Sequence, residues 1–263
     1  VDNVDANQFM HTISAVGHDQ DTYKSTIPCL DHNSLEFYWI FKNMDFESWS
    51  SARSGELWLL APQERNLDHV ASYIIDQEKN SSNTRKHVLY FFCPTAVGST
   101  ALVNVFLHQL VRRLRPVDRK LVITVFLRTI IDKILARSDA PSEESWEIEN
   151  CSSNLIIQQV VDKSTDQEHL EALKVILKLE QLDIEELCVI VAGLDEVVKI
   201  QNWDFVHDVL ALVINLQERP RKVKVLLTSL PLHEFKVTLE RLPSIEYDKE
   251  RKGLMILPAS ILY

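Results

Sequence analysis

From residue 57 onward, short apolar runs alternate with amphipathic stretches. Residues 57–61 and 88–93 are continuously apolar, the pattern of strands buried on both faces of a parallel sheet. Residues 187–192 and 223–229 read as two more strands. Between them, residues 67–77 place Val70, Ala71, Ile74 and Ile75 on one helical face. Residues 98–114 and 118–136 read as two long helices, 154–162 and 165–179 as a helical pair, 202–218 and 232–241 as two more helices, and 244–247 as an edge strand. Alternating strand and helix predicts a parallel sheet covered on both sides. Upstream, residues 1–30 are a polar lead-in with room for one helix. Residues 31–49 carry Leu35, Trp39, Ile40, Phe46 and Trp49 at spacings that set aromatic anchors against a core.

A chain of 263 residues with 46% hydrophobic side chains can bury a sizeable core as one α/β domain with appendages. The expected division is a helical lead-in over residues 1–50, packed on a main domain over residues 51–263. The formal charge of −10 opposes non-specific attraction to nucleic acid or anionic lipid. Four widely spaced cysteines, Cys29, Cys93, Cys151 and Cys188, suit a reducing compartment. No run approaches the roughly 20 apolar residues of a membrane span, and no signal-peptide pattern opens the chain. The expectation is an intracellular protein, cytoplasmic or nuclear, without membrane partners. Starting at Val1 and stopping at Tyr263 just after an apolar run, it reads as a piece of something longer.

Six segments carry a resemblance when taken in order: Trp39-Ile40-Phe41 with Phe46 and Trp49, Leu57-Trp58, Ser72-Tyr73-Ile74-Ile75-Asp76, Tyr90-Phe91-Phe92-Cys93, Gly193-Leu194-Asp195-Glu196, and Thr228-Ser229-Leu230-Pro231. Together they resemble the NACHT family of STAND-class P-loop NTPases, particularly its fungal branch. The resemblance implies a three-layer P-loop NTPase-like α/β fold, with a parallel sheet flanked by helices. In such folds a glycine-rich turn, a Lys and a Ser/Thr cradle phosphate at a helix N-terminus. Aligned without gaps, that turn falls on residues 61–68, Ala61-Pro62-Gln63-Glu64-Arg65-Asn66-Leu67-Asp68. It contains no glycine; Leu67 stands for the Lys and Asp68 for the Ser/Thr. The family's magnesium-organising Asp falls on Ala192 and its phosphate-sensing Arg on Leu230, leaving Asp195 and Glu196 as the remnant of the acidic motif.

Phosphoryl transfer depends on positioning and on positive charge around the γ-phosphate. All three of its supports, Lys, Mg²⁺ and Arg, are missing here. Asp68 would place a carboxylate beside the phosphates, and like charges about 5 Å apart repel by roughly 3 kcal/mol at an effective dielectric near 20. Asn66 is a candidate N-cap, with Asp68 in the first turn complementing the helix dipole. No cofactor and no metal are expected.

The leading expectation is therefore a catalytically inactive scaffold that binds protein partners. One alternative is a nucleotide switch with a non-canonical phosphate loop. Another is a nucleic-acid adaptor acting through two basic clusters, Arg112, Arg113, Arg115, Arg119 and Lys120, and Arg219, Arg221, Lys222 and Lys224; solvated faces are the favoured reading of both. Asp195 and Glu196 could be an acid/base pair, although a relic held by local hydrogen bonds is preferred. Cys29 and His32 have metal-ligand spacing without a second pair. Trp146, among Glu143, Glu144, Glu147 and Glu149, reads as a loop suited to an interface.

Overall fold

In a computed structural model, the structure describes residues 5–16, 19–28, 40, 44–52, 54–60, 66–80, 82–94, 98–137, 153–217, 222–230 and 253–256. In chain order the elements are α1 (Ala6–Val16), α2 (Gln20–Thr26), α3 (Met44–Ser51), β1 (Gly55–Leu60), α4 (Leu67–Lys79), β2 (Lys86–Phe92), α5 (Ser99–Arg113), α6 (Pro116–Arg137), α7 (Ser153–Lys163), α8 (Asp166–Leu177), β3 (Glu186–Ala192), α9 (Leu194–Val198), α10 (Trp203–Gln217), β4 (Lys222–Ser229) and β5 (Gly253–Ile256). They fall into two compact units. Residues 1–19 with 98–183 form a helical unit, and residues 20–97 with 184–263 form a sheet unit.

The sheet unit is the α/β body. Its strands run in the order β2-β3-β4-β1-β5, each neighbouring pair parallel. Register pairs Leu57 with Leu226, Ile190 with Leu226 and Tyr90 with Ile190, so one face collects the side chains that alternate with the other. On the first face Leu57, Leu59, Val88, Tyr90, Phe92, Cys188, Ile190, Ala192 and Leu226 form one buried core with Leu67, Val70, Ala71, Ile74 and Ile75 of α4. Ile40, Phe46 and Trp49 complete it. On the opposite face Phe91 meets Phe205 of α10, with ring centroids 6.1 Å apart. Helices thus cover both faces of a parallel sheet, a three-layer, P-loop NTPase-like arrangement.

The first face also holds charge. Lys224, on β4, reaches the Ser50 carbonyl at 2.7 Å and Glu78 at 3.4 Å and lies 5.1 Å above the Trp49 ring. Glu78 pairs in addition with Lys86. Buried ion pairs hold their place only when every charge has partners, and here each does. Lys224 is therefore a core residue, whereas Lys222 pairs at 3.2 Å with both Glu185 and Glu186. Arg219 and Arg221, the rest of that basic cluster, lie outside the described residues.

The helical unit packs around Phe126. Phe9 of α1 and His169 of α8 both approach its ring edge-on, at 5.6 and 5.4 Å between centroids. Thr165 and Glu168 form a reciprocal capping box at the start of α8. At the end of α5, the Arg119 guanidinium donates to the carbonyls of Leu114 and Arg112, at 2.7 and 3.1 Å. Arg115 pairs with Asp118 at 2.7 Å. Much of the first basic cluster is thereby engaged in closing the turn between two helices.

Three elements differ from the sequence expectations. The lead-in carries two helices, α1 and α2, and a short helix, α9, follows β3. The expected edge strand at 244–247, the helix at 232–241 and the acidic loop with Trp146 lie outside the described residues, as do Cys29 and His32. β5, which the sequence reading did not single out, pairs in parallel with β1. Among the described residues, no helix is long and apolar enough to cross a membrane.

Candidate functional site

In open parallel sheets, ligands bind beyond the carboxyl ends of the strands. At that end of the sheet unit, β1 leads toward α4 and β3 leads directly into α9. Asp68 sits in the first turn of α4, and Asp195 and Glu196 in the first turn of α9. The connection from β3 turns at Gly193, whose φ of 77° lies in the left-handed region open to glycine. The Gly193 amide donates to both the Thr228 carbonyl, at 3.0 Å, and the Thr228 hydroxyl, at 3.2 Å, fixing α9 to the end of β4. A Cβ at Gly193 would stand 3.9 Å from an Asp68 carboxylate oxygen and 3.8 Å from the Cys93 carbonyl. Three carboxylates and Cys93 therefore meet at one end of the sheet.

Each carboxylate has a different environment. Asp195, 6% exposed, accepts the Leu230 amide at 3.0 Å and has the Lys199 ammonium 3.6 Å from its other oxygen. Glu196 pairs with Lys199 at 2.5 Å, and this hydrogen bond is the chief cause that raises the lysine's pKa. Asp68 accepts the Tyr23 hydroxyl at 3.0 Å. Burial is the largest influence on Asp68 and raises its pKa; the Tyr23 bond opposes this, while Asp195 and Glu196 push further up. Tyr23 is pushed up to about 12 by burial and then by Asp68. Burial also raises the Cys93 thiol well above its usual range, with Asp68, Asp195 and Glu196 adding to it. Among the described residues this end is acidic, with Lys199 the ammonium that answers Asp195 and Glu196.

The sequence-expected residues divide accordingly. Asp68, Asp195, Glu196 and Leu230 come together. Ala61 and Glu64 lie outside the described residues. Leu67, standing where the resemblance expects the phosphate-gripping Lys, is 9% exposed and packs into the core with Val70 and Ala71. Ala192, at the magnesium-organising position, is likewise buried in that core. Asn66 is the N-cap of α4 by position but makes no side-chain capping bond; its φ of 47° and ψ of 58° are left-handed, and only its carbonyl accepts, from His69 at 2.9 Å and Val70 at 3.4 Å. The expected side-chain cap is thus corrected. A left-handed backbone directs the Asn66 side chain away from the amides that an extended N-cap would reach. Asn is one of the few non-glycine residues that tolerate this conformation, so it holds a turn where the resemblance places a glycine.

Tyr23 and Gln20 were not anticipated as part of this end of the sheet. They lie 45 and 72 residues from their partners, Asp68 and Phe92, and no local spacing signals such pairings. Among the described residues, no group of three or more His, Cys, Asp or Glu side chains has the geometry to hold a metal ion.

A family model described as Nephrocystin 3, N-terminal matches residues 37–229. The chain belongs to this family. The match spans β1 to β4 and includes Asn66, Leu67, Asp68, Asp195 and Glu196, with Leu230 immediately beyond it. The Nephrocystin 3, N-terminal family is NACHT-associated, in keeping with the order of the motifs along the chain. No curated protein and no solved structure matches the chain.

Proposed function

We propose that this Nephrocystin 3, N-terminal domain is a pseudo-NTPase, of fungal NACHT type with degenerate nucleotide-binding motifs, that serves as an intracellular scaffold for protein partners. The observation that carries the reading is the placement of Leu67 and Asp68. Where a phosphate loop offers an ammonium, this chain buries a leucine in its core. Where it offers a hydroxyl, it presents a carboxylate in the neighbourhood of Asp195 and Glu196. A triphosphate arriving there meets like charge in partly buried surroundings, where repulsion is least screened. Leu230 supplies a backbone amide to Asp195 and no cationic side chain.

A second reading, nucleotide held by a non-canonical loop, draws support from Asn66. Its left-handed turn keeps a glycine-like backbone, and the Asn66 side chain does not cap the amides that open α4. Calorimetry with ATP, ADP and GTP, with and without Mg²⁺, separates the two. The scaffold reading expects no binding heat. Micromolar binding that needs Mg²⁺ and disappears in Asp195→Ala/Glu196→Ala would establish the second reading and overturn the first.

A further inference from the structure

Helix α2 is tied to the sheet unit almost entirely by polar side chains. Gln20 is its one buried residue. The Gln20 amide mimics a neighbouring strand: its Oε1 accepts the Phe92 N–H at 2.6 Å and its Nε2 donates to the Phe92 carbonyl at 3.2 Å. Among the described residues, β2 is the outermost strand on that side of the sheet, and the Cys93 amide points the other way, to the Ala192 carbonyl at 2.8 Å. Asp21 accepts the Tyr90 hydroxyl, which in turn receives Lys79 at 3.1 Å. Lys24 pairs with Asp76 at 2.6 Å, and Tyr23 seats its hydroxyl on Asp68 and its ring against Phe92, with centroids 5.3 Å apart. Ile27, just beyond the helix, adds one partly buried apolar contact.

Water can replace each of these polar bonds, and exposed ion pairs contribute little. The core strands are held instead by apolar burial, which opens only with the whole fold.

We propose that α2 is a lid. It closes over the acidic end of the sheet through Tyr23 and Asp68 and over the end of β2 through Gln20 and the Phe92 backbone. When it lifts, Asp68 and the Phe92 backbone become accessible together. The lid stands whether or not the site takes nucleotide, because its test uses the nucleotide-free chain.

Two adjacent amides report it. The Phe92 amide is bonded to Gln20, and the Cys93 amide to β3. Residue-resolved hydrogen exchange of the full chain should show Phe92 exchanging by a local opening, insensitive to low denaturant, while Cys93 exchanges only with global unfolding. Tyr23→Phe should speed Phe92 by about tenfold, the worth of one hydrogen bond to a charged acceptor, and leave Cys93 unchanged. Lys24→Ala should act in the same direction more weakly. Equal exchange energies at Phe92 and Cys93, or no change at Phe92 in either variant, would make α2 a fixed part of the core and overturn the lid.

Discussion

Two helices in this chain each begin with an aspartate close at hand, and the outcomes are opposite. At α5, the N-cap Gly98 has no side chain to offer, and Asp166 from the start of α8 supplies the missing acceptor: one oxygen takes the Ser99 amide at 3.0 Å and the other the Thr100 hydroxyl. At α4, Asp68 lies in the first turn, yet it accepts the Tyr23 hydroxyl, and burial beside Asp195 and Glu196 raises its pKa. The helix dipole favours a carboxylate in both places by about 0.3–1 kcal/mol. That gain is smaller than the consequences of what surrounds the carboxylate. Asp166 meets donors, whereas Asp68 lies beside other acids, and this difference separates a helix cap from an acidic cluster.

The contrast extends to pH, where the largest effect is expected. His169, fully buried in the helical unit, is pushed down to about 4 by burial, against the opposing pull of Asp166 and Glu168. Its folded pKa lies below its unfolded value of 6.5, so the unfolded chain takes up the proton first as pH falls. Stability from this group is present above about 6.5, is lost progressively down to about 4, and amounts to roughly 3 kcal/mol. Asp68 has the opposite sign. Its folded pKa is raised above 3.8, so its contribution to stability falls as pH rises through that folded value. Acid therefore weakens the helical unit while relieving the acidic end of the sheet unit. Urea titrations across pH 4 to 7 on wild type and His169→Gln should show the acid loss in the first and a much flatter profile in the second.

Next in size is the cap. Asp166→Ala should cost about 1–2 kcal/mol in urea unfolding, the range for a lost N-cap side chain. Gly98→Ala should cost about 1 kcal/mol, because its Cβ would stand 2.8 Å from an Asp166 oxygen and displace the carboxylate. The double variant should cost less than the sum, since both changes break one interaction. Full additivity would mean that Asp166 is not the cap.

At α4 the signs differ. Asp68→Asn keeps an acceptor for Tyr23 and removes the raised-pKa carboxyl, so it should stabilise the chain at neutral pH by less than about 1 kcal/mol. A loss of stability would show that Asp68 is favourably placed, as Asp166 is. Smallest of all, Asn66→Gly should be neutral within about 0.5 kcal/mol. Relief of the left-handed backbone offsets the entropy of glycine, and no side-chain cap is lost.

The same contrast explains what could be read from the sequence. Strands β1 to β4 were legible because burial on both faces writes continuous apolar runs, and the face of α4 because Val70, Ala71, Ile74 and Ile75 keep helical spacing. Lys224 was misleading: it follows basic residues in sequence, but the pleat turns it to the core and Glu78 neutralises it. β5 was missed because the short apolar run at 253–256 gains its identity only by pairing with β1, almost 200 residues away. Asp68, Asp195 and Glu196 could be gathered from motif order. Their partners could not, because Tyr23, Gln20 and the Asp166 cap are tertiary pairings between residues whose local sequence asks for none.

Our central proposal is that the acidic end of the sheet repels phosphate. Its most direct test is a Mg–ATP titration of the wild-type chain, followed at the backbone amides of Leu67, Asp68 and Gly193. Resonances that stay in place at millimolar nucleotide are the expected result; saturating shifts at these amides, absent in Asp195→Ala/Glu196→Ala, would contradict it.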